Sequence, residues 1–236
     1  VPWRLGTDWI DLYQVHTPSR ETDYEETLGA LTDLVRQGKI RCFGSSKETA
    51  AGMVEAQWVA RDRHLNRFVT EQPSYSILAR GVENEILPTA QRYNMGVLTF
   101  SPLNGGWLSG RWHKGEPQPE QSPSRRRLME RFDITLPANQ QKLDAVEQLG
   151  ELAEESGLTL IELAVAFVLN HPGVTAAIIG PRTTEHLESQ LTAAEIVLDE
   201  AVLDRIDEIV PPGVNLNPAD IHTPPADPSA RRRRSN

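Results

Sequence analysis

The sequence has little of what a secreted, membrane-bound or nucleic-acid-binding protein carries. A single cysteine, Cys42, among 236 residues excludes an intrachain disulfide framework and fits a reducing cytosol. No run of about 18 apolar residues occurs, the length a membrane-spanning helix needs, so no membrane partner is expected. The opening Val1-Pro2-Trp3-Arg4 has no charged segment followed by an apolar one, so no signal peptide is expected. Basic residues are the minority: 24 Lys and Arg face 33 Asp and Glu, and the net charge of −9 argues against a nucleic-acid binder. The histidines are scattered and form no metal-ligand constellation. What is present, 39% hydrophobic and 24% charged residues, suffices for a sizeable core. The composition predicts a soluble, cytoplasmic, globular chain.

Short apolar runs alternate with amphipathic helices. Strands are expected at Ile10–His16, Ile40–Gly44, Phe68–Gln72, Gly96–Ser101 and Thr175–Gly180, each brief and apolar as strands covered on both faces are. A first helix begins near Thr22 or Asp23, places Leu28, Leu31, Leu34 and Val35 on one stripe, and stops at Gly38. Another follows Thr159, which with Glu162 forms a capping box, and ends at His171-Pro172-Gly173. Further helices are expected at Lys47–Ala60, Val82–Tyr93, Asn139–Ser156, Thr184–Ala194 and Glu200–Val210. The proline-bearing stretch Lys114–Ser124 reads as a loop or lid. From Val210 the chain turns rich in Pro, Asn and Asp and closes on Arg231–Arg234, read as a solvated tail rather than a targeting or polyanion-binding signal.

Strand and helix alternating this often predict an α/β fold with parallel strands. Five strands suffice for an open doubly wound sheet, whereas a closed barrel needs eight. A dinucleotide-binding sheet carries a glycine-rich turn after its first strand. Here Thr17-Pro18-Ser19 stands instead, which disfavours that fold.

Four segments, in order, carry a resemblance: Leu5–His16, Gly38–Ser46, Val97–Arg111 with its Ser-Pro-Leu-Asn-Gly-Gly core, and Ala177–Leu187 with Gly-Pro-Arg-Thr. Together they resemble the aldo-keto reductases, (β/α)8 TIM barrels that use a nicotinamide cofactor. The resemblance runs from Leu5 to about Val210. It implies a partial barrel over residues 1–210, strands four to eight, with residues 211–236 as an irregular tail. Of the family's Asp, Tyr, Lys and His tetrad, it places the first three in units preceding Val1 and leaves only His16 here. Two sheet edges would then be exposed and open to self-association.

The same resemblance assigns roles. His16 would sit beside the substrate carbonyl and help polarise it, where hydride attack builds negative charge on oxygen. Ser46 and Gln72 match the positions that hold the nicotinamide carboxamide, with Lys47 beside them where many members have Asn. Phe100 takes the place of the aromatic that stacks on the nicotinamide. Ser101, Leu103 and Gly105 belong to a loop whose backbone approaches the pyrophosphate, and Arg111 to a phosphate-pairing position. Gly180 precedes a helix start suited to an anion, and Arg182 adds donors for an adenosine 2′-phosphate, which favours NADP (as NADPH) over NAD. His186 and Gln190 match adenosine-contacting positions, whereas Ser189 replaces the usual acid. The implied activity is reduction of a small carbonyl substrate, with the chain as given expected to be inactive. A non-catalytic nucleotide- or partner-binding module built on the same cleft is the alternative.

Overall fold

The computed structural model describes residues 2–19, 21–119 and 128–221. Five strands form one sheet: β1 (Ile10–Gln14), β2 (Ile40–Ser46), β3 (Thr70–Gln72), β4 (Gly96–Phe100) and β5 (Ala176–Ile178). They lie side by side in chain order, every neighbouring pair parallel. That order decides between the two α/β alternatives. A doubly wound sheet reverses its order at a switch point, whereas a barrel sheet adds each strand beside the last. No reversal occurs here, so the sheet is consistent with part of a TIM barrel.

Helices connect the strands, α1 (Tyr24–Arg36), α2 (Ala50–Asp62), α3 (Ile86–Arg92), α4 (Pro137–Glu155) and α5 (Leu160–Asn170), and two more follow β5, α6 (Thr184–Leu191) and α7 (Glu200–Ile209). They bury Leu28, Met53, Leu87, Leu149, Leu163 and Ile206 in one apolar core with Phe43, Tyr75 and Val97. Gly38 ends the α1 connection with a φ of 69°, and its N–H bonds Val35 O at 2.9 Å. The Thr159–Glu162 capping box at the start of α5 is formed in both directions. Among the described residues no helix is long and apolar enough to cross a membrane.

Several boundaries differ from expectation for local reasons. β1 ends at Gln14, although Val15 still donates to Gly44 O at 2.9 Å, so His16 lies beyond the strand rather than closing it. α2 starts at Ala50 and not at Lys47, because Lys47 adopts a left-handed φ of 61° and Thr49 caps the Gly52 N–H. α3 starts at Ile86 because Pro88, lacking an N–H, is tolerated only in a first turn. A separate 3-10 turn, Gly81–Glu83, occupies the expected earlier part. α6 stops at Leu191 and gives way to the 3-10 turn Thr192–Glu195.

The described start of the expected solvated tail is not free in solvent. Residues 211–221 are irregular yet packed. Leu216 N donates to Leu78 O (3.1 Å), Gly81 N to Asn215 Oδ1 (2.8 Å) and Arg80 N to Val214 O (2.9 Å). Asp220 is buried, and its carboxylate receives both Arg131 Nε (2.7 Å) and Lys142 Nζ (2.8 Å). Two buried cations need that anion, which is why the segment cannot float free. Arg231–Arg234 and part of Lys114–Ser124 lie outside the described residues. Within the latter, Lys114 is tied to α4 through Asp144 and Glu147.

Candidate cofactor and active site

Parallel strands point their carboxyl ends the same way, so the residues following them gather on one edge. Ser46 closes β2, Gln72 closes β3 and Phe100 closes β4. His16 lies two residues past β1 and Gly180 two past β5. These positions are candidates from every strand, brought together by topology alone.

The ends of β2 and β3 are gripped together. Ser46 pairs with Gln72 in register, and its hydroxyl donates to Gln72 O at 2.8 Å. Lys47 N donates to the same carbonyl at 3.3 Å. On either side of these two residues, Ser45 Oγ donates to Glu71 Oε2 (2.5 Å) and Glu48 N to Glu71 Oε1 (3.1 Å). Glu71 is fully buried. Burial pushes its carboxyl up to about 7, against the lowering pull of the Ser45 and Glu48 hydrogen bonds. Glu48 in turn accepts from Tyr24 OH at 2.7 Å. Burial, with the Glu48 bond second, drives the Tyr24 phenol far upward. Gly52 makes room for that pair, since a Cβ there would lie 2.2 Å from Glu48 Oε1.

The turn carries Lys47 toward His16, with Nζ 3.2 Å from His16 Nε2 and 3.4 Å from Thr17 Oγ1. An ammonium has no lone pair, so in this contact Lys47 donates and His16 Nε2 accepts. Lys47 also borders a cavity of about 400 Å³ whose far wall includes Asp220 and Ile221 of the C-terminal segment.

A second cavity, about 360 Å³, collects Phe100, Ser101, Leu103, Gly105, Arg111, Gly180, Arg182, His186 and Gln190. Ser46, Lys47 and Gln72 lie outside it. The link runs through the backbone: Phe100 N donates to Pro73 O (3.0 Å) and Tyr75 N to Phe100 O (3.1 Å). Gly105 adopts a φ of 69°, and a Cβ there would stand 3.0 Å from Phe132 Cζ, so the close turn depends on glycine. Arg111 bonds Ser109 Oγ at 3.1 Å. Among the described residues neither Arg111 nor Arg182 pairs with a carboxylate. Thr183 caps α6 by accepting from His186 N (3.2 Å). Gln190 spends its amide on His186 O, at 2.6 Å, within its own helix.

The model of the aldo/keto reductase family matches residues 3–211. The chain belongs to the aldo/keto reductase family. It is 38% identical to "Uncharacterized oxidoreductase YrpG" of Bacillus subtilis over 208 residues, 88% of this chain and 60% of that one. It is 33% identical to "Protein tas" of Escherichia coli, over 87% of this chain and 63% of that one. It is 31% identical to "Putative voltage-gated potassium channel subunit beta" of Schizosaccharomyces pombe, over 92% and 63% respectively. The chain thus spans 60 to 63% of the length of these relatives.

The aldo/keto reductase family generally uses NAD(P)H, and the donors lining the second cavity suit an anion. The cavity offers two guanidinium groups without carboxylate partners, a glycine turn and a capped helix start, which is the donor set an anion requires. Sequence reasoning missed Glu71, Arg131, Lys142 and Asp220. Glu71 carried a signal, being a charge inside a run read as covered on both faces. Lys142 carried another, since it falls in phase with Ala145, Leu149 and Leu152 on the buried side of α4.

Proposed function

We propose that this chain is the cofactor-binding portion of an NADP-linked carbonyl reductase, its strands corresponding to the fourth to eighth of the family barrel. The observation that supports it most is the gathering of Arg111, Arg182, Phe100 and Gly105 around one cavity at the carboxyl edge of the sheet. When bound, the nicotinamide cofactor supplies a hydride to a carbonyl carbon. The chain's own residues do the rest of what is available here. Phe100 flanks the ring's place, Ser46 and Gln72 orient the carboxamide, and Arg182 favours the 2′-phosphate. Lys47 places its N–H donors, with His16 beside them, where a substrate oxygen gains negative charge. The substrate class is a small carbonyl compound, the compartment cytoplasmic.

Without the Asp, Tyr and Lys that the family places in earlier units, the 236-residue chain is not expected to turn over. General-acid catalysis is worth about 10² to 10⁴-fold, and Lys47–His16 lacks the tuned tyrosine that supplies it. The relatives named as potassium channel β subunits favour a second reading, a nucleotide-binding module that serves a partner.

Fluorescence titration with NADPH and NADH tests the first assignment. NADPH should bind about ten- to a hundredfold tighter, the worth of a charge-assisted phosphate bond of roughly 1.5 to 3 kcal/mol, and Arg182→Ala should erase that preference. Equal affinities in the wild-type chain would remove the basis for NADP. NADPH consumption with small aldehydes, at ordinary enzymatic rates and lost in His16→Ala, would overturn the expected inactivity.

A further inference from the structure

The Ser45–Glu48 turn is held from below by two adjacent residues of β3. Gln72 supplies a backbone carbonyl to Ser46 Oγ and Lys47 N, and Glu71 supplies both carboxylate oxygens, one to Ser45 Oγ and one to Glu48 N. The turn needs this grip because Lys47 is a side-chain-bearing residue at a φ of 61°. Such a conformation persists only where its surroundings over-determine it. A free Ser45–Glu48 segment would relax toward the α or β region, and both Ser46 Oγ and Lys47 Nζ would move.

We propose that Glu71 is a positioning residue for the active-site end of the sheet, clamping the Ser45–Glu48 turn so that Ser46 faces the cofactor and Lys47 reaches His16. The proposal rests on the cofactor reading for Ser46 but not for the Lys47–His16 contact. Glu71 touches neither His16 nor the Arg182 cavity and acts only through the turn. Its surroundings are specific to that task. The carboxylate is enclosed, and Ser45 and the Glu48 N–H are its hydrogen-bond donors outside its own strand. A glutamine can reproduce the acceptor toward Glu48 N and meet Ser45 with its amide, whereas an alanine can do neither.

The test compares wild type, Glu71→Gln, Glu71→Ala and Ser45→Ala in the 236-residue chain, with NADPH as the probe. A second readout is the rate of trace acetylation of Lys47, followed by peptide mass spectrometry, which a nearby histidine contact suppresses. Glu71→Ala should weaken NADPH tenfold or more and raise the Lys47 acetylation rate severalfold. Glu71→Gln should stay within about threefold of wild type in both, and Ser45→Ala should fall between. A folded Glu71→Ala chain with both readouts unchanged overturns the proposal. So does a Glu71→Gln chain as impaired as Glu71→Ala, which would make the charge itself and not the clamp responsible. If Glu71→Ala does not fold, Ser45→Ala decides: wild-type values in both readouts overturn the clamp, and a shift in both supports it. If wild type binds no NADPH, the cofactor reading fails, and the acetylation rates alone judge the clamp.

Discussion

At the scale of single residues, Glu71 is where function and stability pull apart. Its carboxyl is pushed up to about 7, chiefly by burial, from an ordinary value of 4.5. The folded state therefore holds a proton that the unfolded chain has already released. Between those two values the folded form binds more protons, so stability falls as pH rises and then levels off above about 7. At 1.36 kcal/mol per unit the loss is about 3 kcal/mol. Glu71→Gln keeps the shape and cannot ionise, so it should flatten this part of the profile. Urea unfolding at pH 5 and pH 8 measures it: the variant should match wild type at the lower pH and exceed it at the higher by about 3 kcal/mol. A difference independent of pH would mean that the carboxyl is already ionised at pH 5. The same residue shows why some positions of the candidate site were nominated from the sequence and others were not. Ser46, Gln72, Arg111 and Arg182 were picked out from motifs, each a run of neighbouring residues. Glu71 was not, because its partners Ser45 and Glu48 are separated from it by more than twenty residues and meet it only once β2 and β3 pair. Lys47 was assigned to the cofactor from its place in the motif, whereas the left-handed turn that sends its side chain to His16 leaves no mark in composition.

At the scale of elements, periodicity located the strands and helices, and local chemistry moved their ends. Thr49, Pro88 and the left-handed Lys47 each shifted a helix start by a few residues. The C-terminal segment is different, since nothing in its own residues announces packing. Pro, Asn and Asp are turn formers, and a run of them reads as solvated. Its order comes from elsewhere: Asp220 sits against Arg131 and Lys142, and Lys142 also lies over the Trp107 ring, 4.5 Å from its centroid. Burial brings the Lys142 ammonium down to about 8 even with the carboxylate beside it. Trp107 Nε1 in turn donates to Arg131 O at 3.1 Å, which links this cluster to the loop carrying Gly105. Asp220→Asn would leave two buried cations without their anion, a change that costs about 3 to 5 kcal/mol when one partner of a buried pair is removed. The expected outcome is a lower urea midpoint together with faster hydrogen exchange at the backbone amides of residues 215–221. Wild-type exchange in that segment would show that the Asn215 and Leu216 backbone contacts hold it without the ionic anchor.

At the scale of the whole molecule, the sheet has two outer strands among the described residues, β1 and β5. Each inner strand has its backbone paired on both sides, while an outer strand presents unpaired N–H and C=O groups to whatever approaches. Natural edges are guarded by lysine, proline or bulges, and such guards suppress pairing between chains. β1 has the sequence Ile-Asp-Leu-Tyr-Gln and β5 Ala-Ala-Ile, with neither lysine nor proline in either. Asp11 is the single charge on these strands, and Arg41 neutralises it at 2.7 Å. The side chains around the edges are apolar as well as exposed: Leu5 is 59% exposed, and Trp9, Tyr13 and Ile178 are each 41%. A net charge of −9 opposes association at long range, but at physiological salt that repulsion is screened beyond about 8 Å, and edge pairing operates well inside that distance. The purified 236-residue chain should therefore self-associate, through β1, β5 or both. Sedimentation velocity at micromolar concentrations should show species larger than a 26.3 kDa monomer. Tyr13→Lys and Ile178→Lys together should shift the population toward monomer, because a lysine ammonium at each edge must be desolvated before a second strand can pair there. Raising the salt should strengthen association in wild type by screening its charge. A monodisperse wild-type monomer would overturn this expectation and show that the exposed edges do not drive pairing.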